Sequence, residues 1–233
     1  KVNDELIAEY GSERPDLTFD LVARNVELHR KRNDFNGEQS ALNKLVEFFS
    51  KHQSEALRSE DSQKTYITTK NYLRARATQT HKAAQKHPQK SQGLILYSRA
   101  ADLYELYSKA FLSKPKSNDE KKELSEVRFY ITDCLLAANR TNEAIPYLEK
   151  TLLETGDYKY RREAGASLLN ILIQQIDQAF KKNERSEKAV ERFIYLADEF
   201  EKIFPEDPLS IELKFKKARL EAQQSAGRGL TKP

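Results

Sequence analysis

Methionine and tryptophan are absent from this chain, cysteine occurs once, and glycine and proline occur only seven times each in 233 residues. Each scarcity excludes something. A lone cysteine, Cys134, allows no intrachain disulfide and no cysteine-based zinc ligand set. With few glycines and prolines there are few breakers, and long helices run uninterrupted. No stretch approaches the roughly eighteen apolar residues of a membrane-spanning helix, and Lys1 opens no signal-peptide pattern. Because methionine is missing even at the start, the chain is expected to be a processed or excised piece of a longer protein, and its compartment stays open. Carboxylates are missing locally as well. From Ser62 to Ala101 there are eight basic residues and no acid, while the rest of the chain carries 32 basic residues against 36 acidic ones. The net charge of +4 therefore comes from one segment set in a mildly acidic body, an asymmetry that asks for a partner.

What is present is helical periodicity. Hydrophobic residues make up 38% and charged residues 33% of the chain, the balance of a thin, surface-rich fold. Leu124, Val127, Ile131, Cys134 and Ala138 recur at helical spacing, as do Leu96, Ala100, Leu103, Tyr107 and Ala110. From Ala164 to Phe180 the apolar arc is broader, leaving a narrow polar strip, so that helix is expected to be packed on more than one side. Ser117 with Glu120 forms a capping-box pattern, and Asp207 before Pro208 places a cap ahead of a first-turn proline. Thr141, Ser186 and Asn36 are further candidate caps. The pattern predicts about nine antiparallel helices, near 17–32, 38–57, 62–86, 91–112, 118–138, 142–155, 160–181, 187–204 and 208–225. They are expected to form one helical domain, 16–226, between a flexible N-terminal segment, 1–15, and a flexible tail, 227–233. No strand alternation competes.

Internal repetition supports a stack of helix pairs. LYELYSKAFL (103–112) and LADEFEKIFP (196–205) share leucine, aromatic, basic and phenylalanine positions, and Leu96, Ala144 and Ala189 are spaced 48 and 45 residues apart. The segment RFYITDCLLAANRTNEAIPYLEKTLLETGD (128–157) resembles a tetratricopeptide repeat, with Ala144 and Leu148 on the second helix and a breaker at Gly156. Thr132 stands where that family usually has glycine and Thr151 where it has alanine, and its tryptophan is missing. The aromatic second helices ending in IFPEDP are similar to those of bacterial envelope proteins, including outer-membrane assembly lipoproteins and gliding-motility accessory proteins. The resemblance implies an all-α, right-handed α-α superhelix, a concave protein-binding face, and a periplasmic or envelope-associated setting. It also implies that Glu126, Phe129 and Asp133 face the groove.

Chemistry is sparse. His29, His52, His81 and His87 are scattered without the i, i+4 pairing of a metal site and are expected at the surface. Cys134 sits in an apolar stripe, where it acts as a small hydrophobe. No phosphate-binding glycine loop or nucleophile motif occurs. Catalytic, cofactor and metal residues are therefore expected to be none. On the 160–181 helix, Ser167, Asn170, Gln174, Asp177 and Lys181 form the polar strip, either simply solvated or offering uncharged amides to an extended peptide. In the basic segment, a step of about 100° per residue gathers Tyr66, Leu73, Ala77 and Ala84 into a packing stripe. Lys70, Arg74 and His81 flank one edge of it and Arg76 the other, with Lys64, Lys82 and Lys86 on the far side. Two expectations follow for these cations. Either acidic helices next door neutralise them, Glu55, Glu60, Asp61, Asp102 and Glu105 being near in sequence, or an anionic partner meets Lys70, Arg74, Arg76, Lys82 and Lys86. The leading expectation is a non-enzymatic scaffold that binds another protein. The alternative is a nucleic-acid-binding repeat using the 62–101 segment.

Overall fold

The computed structural model describes residues 13–56, 59–88, 90–154, 160–182, 184 and 187–229, with positions 5, 7 and 9 before them. Among these residues there is no strand, and nine helices succeed one another. They are α1 Pro15–Lys31, α2 Phe35–Ala56, α3 Glu60–Gln85, α4 Ser91–Phe111, α5 Asn118–Ala137, α6 Thr141–Leu153, α7 Arg161–Lys181, α8 Glu187–Ile203 and α9 Pro208–Gly229. Periodicity placed every one of them. The last helix runs on to Gly229, into residues expected as tail.

Local chemistry explains the ends. Ser117 and Glu120 form the reciprocal capping box ahead of α5, and Asp207 Oδ1 accepts the Leu209 amide at 2.9 Å. Asp34, not the expected Asn36, caps α2 by accepting the Gly37 amide at 2.9 Å. Ser59, which was not among the expected caps, caps α3 by accepting the Ser62 amide at 3.1 Å. Thr141 is already inside α6, while Ser186 and Gly156 lie outside the described residues. Asn33 and Asn139 adopt left-handed backbone, φ 54° and 61°. Asparagine tolerates that conformation and so ends a helix in a tight link.

The helical stretch divides into two compact units, residues 1–139 and 140–233. In unit 1, α1 packs on α2 and α3 on α4, α1 touches α3 and α2 touches α4, and α5 packs on α4. Two helical hairpins are thus stacked and extended by a fifth helix, the sequential packing of a solenoid. Its core holds Phe19, Leu42, Leu73, Tyr104, Tyr107 and Ile131, all nearly inaccessible. Aromatic rings tie the hairpins together: Phe49 stacks on Tyr66 at 4.9 Å and lies 5.6 Å from Phe19.

In unit 2, α6 packs on α7, α7 on α8 and α8 on α9, with α6 also touching α8. Ala144, Leu148, Leu152, Leu168, Phe193 and Phe200 fill its core. Gly165 permits the close approach, since a Cβ there would meet Phe200 Cδ2 at 2.6 Å and Leu152 Cδ1 at 2.9 Å. The two threonines that depart from the repeat pattern are both buried, Thr132 in unit 1 and Thr151 in unit 2. Each hydroxyl is satisfied inside its own helix, Thr132 donating to the Arg128 carbonyl at 2.9 Å and Thr151 to the Tyr147 carbonyl at 2.8 Å.

Candidate functional site

The basic helix α3 is the centre of unit 1. Leu73, Ala77 and Ala84 are fully buried along it, and the cations emerge on either side of that stripe. On one edge Lys70 meets Glu123 at 3.5 Å, Arg74 meets Glu126 at 2.8 Å, and His81 meets Asp133 at 3.1 Å, all three acids belonging to α5. On the other edge Arg76 meets Glu38 of α2 at 3.2 Å. The edges are those the helical step assigns. These acids stand on neighbouring helices, as expected, but are not the ones named from nearness in sequence. Of those, Glu60 and Asp61 pair with Lys64 of the same segment, at 2.9 and 3.7 Å, and Glu105 turns to Lys109 at 3.3 Å. Asp102 lines a cleft beside Arg76 and Arg99, and the Glu55 side chain lies outside the described residues.

His81 is a correction to the sequence expectation of a surface histidine. It is 6% exposed, edge-on to Tyr97, Tyr104 and Tyr130 with ring centroids at 5.8, 6.1 and 6.0 Å. Those rings come from α4 and α5, so one helix's periodicity could not reveal them. Arg74 is held in the same way. Its guanidinium lies 5.5 Å from the Tyr107 centroid and 5.8 Å from the Tyr130 centroid, and Nη1 is buried with no hydrogen-bond acceptor. The aromatic faces stand in for the missing acceptor.

Two tyrosines close this network. Tyr72 donates its hydroxyl to Glu38, and Tyr107 donates to Glu123. Burial first, and then the bond to a neighbouring carboxylate, pushes both phenols well above their ordinary value of 10.0. A raised phenol favours the folded state while it stays neutral. That contribution is intact below about pH 10 and declines as pH rises through the window where only the unfolded phenol ionises. Urea midpoints of the full chain between pH 8 and 11.5 should therefore fall above pH 10. Each phenol adds a slope of up to about 1.4 kcal/mol per pH unit, and the Tyr72→Phe, Tyr107→Phe double variant should flatten the curve. An unchanged slope in that variant would show that the alkaline loss originates elsewhere.

Not every cation of the segment is engaged. Lys82 and Lys86, beside the C-terminal end of α3, are exposed and make no ion pair among the described residues. There they complement the negative end of the helix. Arg99 lies 5.3 Å from the Phe35 ring, and Arg76 lies at the same distance from it.

The groove candidates separate by unit. In unit 1, Glu126 accepts from Arg74 and, at 2.9 Å, from the Tyr130 hydroxyl. Asp133 is half-exposed beside His81, and Phe129 is half-buried with its ring 6.0 Å from Tyr130. In unit 2, Leu168, Leu169, Leu172, Ile173 and Ile176 bury the broad face of α7. Asn170 and Gln174 are exposed, with no hydrogen bond to other described residues, and Ser167 is half-buried. Asp177 closes one end of the strip by pairing with Arg219 at 2.9 Å.

Among the described residues no cluster of histidine, cysteine and carboxylate is arranged to hold a metal, and no helix is long and apolar enough to cross a membrane. Cys134 is fully buried, and burial pushes its thiol far above the range where it would act as a nucleophile. Sequence reasoning passed over Glu38, which reads as an ordinary first-turn acid of α2. Comparison of the chain with protein-family models, with curated proteins and with solved structures finds no match.

Proposed function

We propose that the protein is a non-enzymatic helical-repeat adaptor, tetratricopeptide-like in its use of a helix face, which holds an extended segment of another protein on the polar strip of α7. One observation carries this. Asn170 and Gln174 stand exposed, with no hydrogen bond to other described residues, on a helix whose opposite face, Leu168, Leu169, Leu172, Ile173 and Ile176, is committed to the core. Uncharged amides offer both a donor and an acceptor, the complement of a peptide backbone. Ser167 and Asp177 border them, and Glu126, Phe129 and Asp133 are assigned to a corresponding surface of unit 1.

The nucleic-acid alternative has less support. Of the five cations it would use, Lys70, Arg74 and Arg76 already have carboxylate partners in unit 1. Lys82 and Lys86 remain for an acidic partner surface. The test is affinity capture from native extract, with the captured protein identified and then titrated against purified variants. The Asn170→Ala, Gln174→Ala double substitution should weaken its binding by about tenfold or more, the worth of one or two lost hydrogen bonds. Unchanged affinity would remove α7 from the binding face.

A further inference from the structure

The two most exposed large hydrophobic side chains among the described residues stand one turn apart on α9, Ile211 at 62% and Phe215 at 74%. Ala218 and Ala222, also exposed, continue the spacing four, three, four. The four residues therefore line up as one apolar stripe along about 16 Å of helix. Leu213 and Leu220, on the opposite side, are buried, and α9 packs chiefly on α8. A helix apolar on two faces is normally covered on both.

Charges border the stripe in a definite order. By the helical step, Glu212 and Arg219 lie along one flank and Lys214 and Glu221 along the other, all four exposed. Acid precedes base on the first flank, and base precedes acid on the second. Glu212 also holds Lys216 at 2.8 Å and Arg219 also holds Asp177 at 2.9 Å, but their side chains are 60% and 50% exposed and have room for a second partner. Lys214 makes no ion pair among the described residues.

We propose that this face binds a second copy of the chain, the two α9 helices running antiparallel about a twofold axis between residues 216 and 217. That axis sets Phe215 of each copy against the partner's Ala218 and Ile211 against the partner's Ala222. Large then meets small, and the helices close without a gap. The same axis sets each flank against its own reverse. Arg219 meets the partner's Glu212 and Lys214 meets the partner's Glu221, each offset by two residues, about 3 Å along the axis, within reach of these long side chains. A parallel pair would instead press ring on ring at Phe215 and leave alanine facing alanine at 222. One helix face covers less than the roughly 800 Å² per partner of a durable complex. The dimer is therefore expected to be weak, with a Kd of about 0.1 mM. Asn170 and Gln174 take no part, so failure here and failure of the α7 reading are separate results.

Sedimentation equilibrium of the full chain from about 10 µM to about 1 mM tests this. The mass should rise reversibly from one copy toward two. Phe215→Asp, which removes two rings from every dimer, should weaken association about a hundredfold and leave monomer throughout. Its urea midpoint at low concentration should match the parent's, which separates lost association from lost folding. Lys214→Glu should weaken the dimer several-fold, to roughly the extent of two exposed ion pairs, and adding Glu221→Lys should restore it. Register is read by disulfides. Ile211→Cys chain mixed with Ala222→Cys chain should cross-link on mild oxidation, whereas Ala222→Cys alone should not, its sulfurs lying about 16 Å apart along the axis. A chain monomeric at every concentration overturns the proposal and leaves the stripe for a different protein. Association that survives Phe215→Asp, or self-cross-linking of Ala222→Cys, overturns it as well. If Phe215→Asp fails to fold, the charge reversal and the cross-links decide.

Discussion

Replacing Glu38 by alanine is expected to lower the stability of unit 1 by about 3 kcal/mol. Glu38 is 5% exposed, and a carboxylate so far from water persists only when donors surround it. Its donors are the Tyr72 hydroxyl on one side and Arg76 at 3.2 Å on the other. Alanine would leave a half-buried hydroxyl without its acceptor and a guanidinium without its counter-charge. Full burial of such a pair puts the cost of breaking it at about 3–5 kcal/mol. Here Arg76 keeps about a quarter of its side-chain surface in water, and the Phe35 ring lies 5.3 Å away, so the lower end applies. Urea unfolding with and without Arg76→Ala would check it. The double variant should lose less than the sum of the single losses, and simple additivity would show that the pair contributes nothing to the fold.

For Gly93→Ala the expected sign is the informative part. By helix propensity alone, alanine inside α4 should stabilise by about 1 kcal/mol. In the fold, Gly93 lies against the link from α3, and an added Cβ would sit far inside van der Waals contact distance of the His87 carbonyl oxygen. That atom is backbone, and it also accepts the Lys90 amide at 3.2 Å, so it cannot swing away as a side chain would. Overpacking of this kind usually costs about 1–3 kcal/mol, occasionally more, and the net result should be a loss of about 2 kcal/mol. Gly37→Ala is the control. There the obstructing atoms are the ends of the His29 and Asp34 side chains, both substantially exposed, which can swing aside at the cost of their mutual bond and of the α2 cap. A higher urea midpoint for Gly93→Ala would mean that the link yields and propensity prevails.

Helix positions were legible because their causes are local. Spacing of apolar residues, a capping box at Ser117 and Glu120, and a proline after Asp207 act within one or two turns. The buried stripe of α3 and its two basic edges were legible for the same reason. The identity of the neutralising acids was not, since Glu38, Glu126 and Glu123 lie 38, 52 and 53 residues from their cations. Of the acids near in sequence, Glu60 and Asp61 meet only the local Lys64 among the described residues, and Glu105 turns to Lys109. The α7 strip was visible as a pattern, and its exposure agrees with the periodicity. That Asn170 and Gln174 remain unbonded while Asp177 takes Arg219 required the packing of unit 2.

By itself, then, the sequence determined that the greater part of KTYITTKNYLRARATQTHKAAQKHPQK, up to Gln85, would enter a helix with one face committed to packing, because 3.6-residue periodicity is written in every few residues. Tertiary structure alone decided what Lys70, Arg74 and Arg76 meet. Hairpin stacking brings α2 and α5 to opposite edges of α3, and ion pairs depend on distance in space, which residue order does not set. The same stacking buries His81 among three tyrosines of α4 and α5, an environment that the periodicity of one helix does not contain.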